Sequence, residues 1–314
     1  MKTPTPAQQL VLESIQNHSV QLAAMVEAET TRQNRTGEAP ALEWVDSYHE
    51  AALHRDALET VAAAGGVPLK WIAHAHDRGH AGIEWRTHQY LPEPEALNWD
   101  HVLGKLTADV ARLQQWTALD VSLRIINPGL HRRVSQDMER NLRVLRARTT
   151  GVATLLGLDR EVGEQLWGTT ADWAIAGAQA IEWLSADAVT DHWTVAARSD
   201  THDYLRQTHA LHVAGIRTDS SEALPSAPEL AAAIGTVLAS APPQPSSHAT
   251  PGEVIERALT AASPESDGVP GPETPMSAPL FSAAEQAQPT YPGSEAHTEI
   301  PLPRFSSAVD GPEP

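Results

Sequence analysis

Residues 98–157, NWDHVLGKLTADVARLQQWTALDVSLRIINPGLHRRVSQDMERNLRVLRARTTGVATLLG, decide the fold. Asn98 can cap a helix, and Asp100 stands in the first turn, where a carboxylate favours helix formation. Apolar side chains then recur at intervals of three and four residues, which predicts an amphipathic helix. They are Leu103, Leu106, Val110 and Leu113. The triplet at 127–129, Asn-Pro-Gly, ends this helix.

A partner helix is predicted from about Leu130 to Leu156, with Gly157 at the position of a left-handed C-cap. One side of it is largely apolar. Its members are Val134, Met138, Leu142, Leu145, Thr149 and Val152. Because a short connection joins two long amphipathic helices, we expect them to form an antiparallel hairpin.

Helices are also expected on both sides of this hairpin. Thr5, Pro6 and Gln8 form a capping box with a proline in the first turn, so a helix should begin there. A second helix should carry Leu42, Val45 and Leu53, whereas Ile83 to Pro94 should be extended. From residue 159 to 216 we predict three or four short helices. Their tryptophans, which we interpret as core residues, are Trp167, Trp173, Trp183 and Trp193.

The composition changes near Arg217, where Pro, Ser, Ala, Gly and Glu replace the large apolar residues. Such a segment cannot bury enough surface to fold alone, so residues 217–314 are expected to be a disordered acidic tail. Within it, residues 228–241 and 251–262 have apolar residues at helical spacing and are predicted to form short helices. These could dock in a partner's groove or form only transiently.

The predicted fold class is therefore all-α, with a helical body followed by the tail. We expect two helical subdomains in the body, covering residues 1–97 and 98–216, with the hairpin in the second.

Charge and cysteine content exclude several classes of function. The chain has a net charge of −18, of which −10 lies from Arg217 onward, so it does not resemble a general nucleic-acid binder. With no cysteine, it can have no disulfides and no cysteine-ligated metal centre. It also lacks a signal peptide and a long apolar stretch, so we expect a cytoplasmic protein.

Residues 55–79, RDALETVAAAGGVPLKWIAHAHDRG, resemble a helix-turn-helix motif. That motif has a small residue on its first helix, a glycine four residues later and apolar residues that lock the two helices together. Ala62 and Gly66 match the small residue and the glycine. The matching apolar positions are Leu58, Val61, Val67, Ile72 and Ala75.

This resemblance implies that Lys70, His74 and Arg78 could contact DNA from the outer face of the second helix. The face has few of the side chains that usually read bases, and Pro68 replaces the common capping Ser or Thr. The alternative interpretation is a packed helical corner without DNA binding.

Histidines are concentrated in one quarter of the chain, and His76 and His80 have the i, i+4 spacing of metal ligands on a helix. Because Gly79 should end that helix before His80, no metal site is predicted. Phosphate-binding glycine loops and nucleophile elbows are missing from the sequence, so we predict neither a cofactor nor an enzymatic activity.

The second helix of the hairpin is rich in arginine opposite its apolar stripe, which indicates either a solvated face or a surface for phosphate or an acidic partner. The acidic partner could be the chain's own tail. The candidate contact residues are Arg132, Arg133, Arg140, Arg143 and Arg146, and Arg148 lies beside them.

The leading hypothesis from sequence is a non-enzymatic interaction protein that uses helical surfaces and a flexible acidic tail to bind an unidentified protein partner. The alternative is a DNA-binding or DNA-associated regulatory protein that uses the helix-turn-helix segment.

Overall fold

The computed structural model describes residues 3–127, 129, 132–219 and 223–240, with side chains omitted for 132–135. These residues form helices joined by loops, without a strand, so the predicted all-α class is confirmed. No helix among them is long and apolar enough to cross a membrane. The helices are α1 Pro6–Thr36, α2 Leu42–Ala64, α3 Leu69–His80, α4 Trp99–Ile126, α5 Arg132–Leu156, α6 Arg160–Trp167, α7 Thr170–Ile181, α8 Ala186–Arg198, α9 His202–Val213 and α10 Ala227–Ser240.

Several helix ends follow the local signals in the sequence. Thr5 and Gln8 form the predicted capping box of α1, and the side chain of Asn98 accepts a hydrogen bond from the backbone of His101 at the start of α4. Gly157 has a φ of 70°, as expected for the left-handed residue that follows α5. Local hydrogen bonding therefore determines where these helices begin and end.

The α4 and α5 helices are the predicted antiparallel hairpin. Near the hairpin's turn, Arg124 of α4 donates a hydrogen bond to Glu139 of α5. Further from the turn, Arg148 of α5 donates to Asp109 of α4. At 1.5 Å per residue both helices are about 40 Å long, so each can pass through more than one hydrophobic core.

Two hydrophobic cores result. The first contains residues of α1, α2 and α3 together with Leu106 of α4, Leu155 of α5 and Leu211 of α9. The second contains the remaining parts of α4 and α5, with α7, α8 and α10. A boundary at residues 97 and 98 therefore does not separate the cores, because the hairpin is shared by both.

The start of the predicted tail needs correction. Residues 227–240 form α10, which packs against α4 and α7, and Leu230 and Ile234 are fully buried in the second core. Alone, this Ala-rich helix could bury little surface, but the groove beside α4 and α7 supplies the missing contacts. The predicted helix at 228–241 is thus part of the body, whereas the one at 251–262 lies outside the described residues.

The α1 and α2 helices extend beyond the first core. On α1 the buried apolar residues end at Leu22, and on α2 they begin at Ala57. The predicted helix carrying Leu42, Val45 and Leu53 is present as α2, and Leu42 and Val45 near its start are exposed.

The α1 and α3 helices lie very close to each other at Gly79. A Cβ atom at Gly79 would collide with the carbonyl oxygen of Gln16 and lie 2.5 Å from the Cβ of Ser19. The residue must therefore be glycine for α3 to lie in its place, although it also lies within a helix, where glycine is unfavourable.

We expect Gly79→Ala to lower the free energy of unfolding by about 1–3 kcal/mol, because the new methyl group overpacks the contact with α1. The matched control is Gly104→Ala in α4, where a Cβ meets no atom within 4 Å. That change should stabilise by up to about 1 kcal/mol. Urea unfolding of both variants measures the difference, and an equal effect of the two would contradict this account.

Candidate interaction surfaces

The predicted helix-turn-helix segment forms α2, a tight turn and α3. Gly66 adopts a φ of 71°, and the amide of Val67 donates to the carbonyl of Ala62 at 3.0 Å. The apolar positions that the motif requires are all buried: Leu58, Val61, Ala62, Val67, Ile72 and Ala75. Local structure at this corner is as the sequence predicts, while the family resemblance and DNA binding remain predictions.

The outer face of α3 does not present its three candidate residues equally. Lys70 is exposed, His74 is half-buried, and Arg78 is half-buried with its Nε enclosed and without a hydrogen-bond partner in the described part of the chain. Asp77 is also exposed on this helix. A phosphate approaching α3 would therefore meet one fully available cation and a carboxylate.

The loop between α3 and α4 covers part of the same face. The indole of Trp71 donates to the carbonyl of Pro92 at 2.8 Å, and the His74 ring lies 3.1 Å from the Tyr90 carbonyl oxygen. Tyr90 packs edge-on against His74. This loop was predicted to be extended, and the way it covers α3 has no counterpart in the local sequence pattern.

The arginines of α5 do not form one surface. Arg140 and Arg143 are exposed, and Arg140 forms an ion pair with Asp137 at 3.3 Å. Arg146 instead turns inward and donates to the carbonyl of Pro225, just before α10. Burial lowers the pKa of Arg146, and nearby Glu229 partly opposes that shift. The side chains of Arg132 and Arg133 lie outside the described ones.

Arg148 was also predicted on the solvated side, but it is buried. It forms an ion pair with Asp109 of α4, and its Nε donates to Gln207 of α9 at 3.0 Å. The Tyr204 hydroxyl donates to Asp109 at 3.0 Å, while the Tyr204 ring lies 4.9 Å from the Arg148 guanidinium. These four residues form a buried polar network that joins α4, α5 and α9.

Arg112 of α4 also lies 3.8 Å from the Asp109 carboxylate, but its side chain is 46% exposed. We expect Arg148→Met to destabilise the protein by about 3–5 kcal/mol, because it removes the buried cation that contacts this carboxylate. The double variant Arg148→Met with Asp109→Leu should recover much of that loss, since no charge then remains buried. Chemical unfolding of wild type, Arg148→Met, Asp109→Leu and the double variant completes a double-mutant cycle. Additive losses would show that the two side chains do not act as a pair.

An exposed tryptophan marks a different surface. Trp183, in the turn between α7 and α8, is 74% exposed, although we predicted a core position. Its ring packs edge-on against His192, with centroids 6.4 Å apart, and Val195 of α8 is 69% exposed one turn further along. We call Trp183, His192 and Val195 the Trp183 patch.

The burial of the four tryptophans depends on where each one lies relative to the helices. Trp173 and Trp193 lie on buried helix faces, as expected, and Trp167 is half-buried. Trp183 instead follows the end of α7 and precedes Ser185, which caps α8. A tryptophan between two helix ends lies on neither helical face, and this position was the available signal that it need not be buried.

Carboxylates lie next to the Trp183 patch. Asp187 and Asp191 of α8 are both exposed, and Asp191 precedes Val195 by one helical turn. The patch therefore combines a large aromatic ring with an acidic surrounding. A complementary surface would offer an apolar pocket with basic groups at its edge.

The histidines weighed as metal ligands are not arranged as a metal site. Nδ1 of His76 lies 2.8 Å from a carboxylate oxygen of Glu59, a contact that raises the pKa of His76. The α3 helix continues through Gly79 to the exposed His80, so the expectation that it ends before His80 was wrong. Across the described ranges, no group of three or more His, Asp or Glu residues could hold a metal ion.

Comparison with known proteins found no matching family model, no matching curated protein and no matching solved structure.

Proposed function

We propose that this protein is a non-enzymatic interaction protein that binds a protein partner with basic groups through the Trp183 patch. A tryptophan exposed to 74% is costly to leave in water, and tryptophan is among the residues that most often dominate the energy of protein interfaces. The edge-on contact with His192 limits the ring's freedom, so less conformational entropy is lost when a partner covers it.

The acidic sequence after Ser240 supports a second, electrostatic part of the same interaction. Residues 241–314 have 10 carboxylates and two arginines, and the carboxylates of Asp187 and Asp191 are exposed on α8, the helix that carries His192 and Val195. Negative charge at both places favours a basic partner and accelerates its approach at low salt. In this proposal the patch supplies most of the affinity and the acidic sequence supplies most of the salt dependence.

Affinity purification of the full chain from its native cells, with quantitative mass spectrometry, tests the proposal. We compare wild type with Trp183→Ala and with Leu42→Ala, whose leucine is 77% exposed and lies on α2. A partner that depends on the patch should be lost with Trp183→Ala and kept with Leu42→Ala. Both variants should unfold within about 0.5 kcal/mol of wild type, because both side chains are at the surface.

Purified partner then allows a quantitative test. Trp183→Ala should weaken binding by about 30-fold or more, as expected for a central anchor residue, while deletion of residues 241–314 should mainly reduce the association rate and its salt dependence. Equal affinity of wild type and Trp183→Ala for every captured partner would refute the proposal.

DNA binding through α3 is a second candidate, supported by the α2–turn–α3 corner and by the exposed Lys70. It predicts that random duplex DNA binds the full chain with an affinity that falls steeply with salt. Lys70→Ala and Arg78→Ala should each weaken the complex and reduce that dependence. Fluorescence anisotropy at two salt concentrations measures this, with His192→Ala as a control away from α3. Flat titrations at low salt would exclude this candidate.

A further inference from the structure

Three histidines from α1, α2 and α9 lie close together in the helical body. The ring of His54 on α2 lies 4.5 Å from the ring of His18 on α1 and 5.6 Å from the ring of His209 on α9, measured between centroids. We call these three residues the histidine cluster. No pair within it is closer than 36 positions in sequence, so no local motif announces the cluster.

The three rings differ in exposure, because His18 and His54 are half-buried whereas His209 is exposed. Nε2 of His54 is buried without a hydrogen-bond partner among the described residues. Burial, followed by the proximity of His18 and His209, lowers the pKa of His54 to about 4, and burial lowers that of His18 as well. At neutral pH both rings are therefore uncharged.

Along each helix, the arginines near the cluster are paired with other groups, whereas Glu13 and Glu50 are carboxylates near His18 and His54. On α2, Arg55 pairs with Asp56 and Glu59, and Glu50 lies one turn before His54 at the surface. On α9, Arg206 pairs with Asp203, and His212 follows His209 by three residues. On α5, Arg148 belongs to the buried polar network. On α1, Glu13 is the carboxylate that shares a cleft with His18.

This cleft gives water a route to the cluster. It has a volume of about 330 Å³ and lies between α1 and the end of α9, with His18 in its lining beside Asn17, Gln21 and Val213. A proton can therefore reach His18 from solvent without unfolding the first core, and the His54 ring lies 4.5 Å from the His18 ring.

We propose that the histidine cluster is an acid-sensitive latch, which holds α9 against α2 while the rings of His18 and His54 are neutral and releases this contact when they bind protons. Two imidazolium ions at these distances would repel each other, and the third ring offers no negative charge to compensate. The other side of α9 stays attached, because Tyr204 and Gln207 are bonded to the buried pair of Asp109 and Arg148.

The pH range of release follows from the direction of the pKa shifts. Above about pH 7.5 His54 is almost wholly neutral in both the folded and the unfolded chain, so it adds little pH dependence there. Between pH 6.5 and about 4 the unfolded chain takes up a proton that the folded chain resists, and stability falls as the pH falls. His76 acts with the opposite sign, because its contact with Glu59 raises its pKa in the folded state.

Urea unfolding of the full chain at pH 7.5 and pH 5.0 tests the latch, since most carboxylates remain ionised at both values. We expect the folding equilibrium constant of wild type to fall roughly tenfold at pH 5.0 after allowance for solvent screening. His54→Phe keeps an aromatic ring without a titratable group, so it should lose less stability on acidification. His76→Gln should lose more than wild type does.

Amide hydrogen exchange locates the release. Protection, corrected for the intrinsic effect of pH, should fall at pH 5.0 near residues 15–18, 54–58 and 209–213 but not near 203–207, which the buried polar network holds. If His54→Phe does not fold, His209→Gln replaces it in both measurements.

Two results would overturn the latch. One is an acid sensitivity that is identical in wild type and the cluster variants. The other is a loss of stability at pH 7.5 when a chelator is added, which would mean that the cluster works by binding a metal ion.

Discussion

The buried ion pair between Asp109 and Arg148 sets the constraint on which the rest of the helical body depends. Removing two charges from water is costly, and the cost is offset only where each charge meets its partner and its remaining hydrogen bonds. Tyr204 and Gln207 complete those bonds from α9. The observed register of α4, α5 and α9 satisfies all four side chains at once, and a shift of any of these helices would break at least one of those contacts.

The two hydrophobic cores follow from that register. Once α4 and α5 are fixed against each other, the start of α4 and the end of α5 pack with α1, α2 and α3. The parts of α4 and α5 nearer the hairpin turn pack with α7, α8 and α10. The α9 helix then has a different polar contact on each of two sides. On one side it is bonded to the charged network, and on the other its His209 meets the uncharged His54 of α2, which packs against His18 of α1. Its two attachments therefore respond differently to pH.

The surfaces left over after folding differ from those that composition suggested. Arginine is abundant on α5, yet Arg148 is buried and Arg146 holds the residues before α10 in place. The outer face of α3 is partly occupied by its own following loop. The Trp183 patch remains exposed with carboxylates on α8, which is why we propose a protein partner with basic groups rather than a nucleic acid.

The sequence by itself determined the helices, because helix starts and ends depend on neighbours within four residues. The Thr5 capping box, the Asn98 cap, the left-handed Gly157 and the apolar positions of the α2–α3 corner are all readable in this way. It also indicated α10 as a short helix, although not that this helix belongs to the body.

Only the tertiary structure decided which faces those helices bury. Arg148 on α5 meets Asp109 39 positions earlier, and Leu230 of α10 finds its groove beside α4 and α7. The histidine cluster brings together residues from α1, α2 and α9. Helical periodicity predicts which side chains share a face of one helix, but it does not predict which other helix will cover that face. Contacts between distant segments depend on how all the helices pack together, so no local pattern carries them.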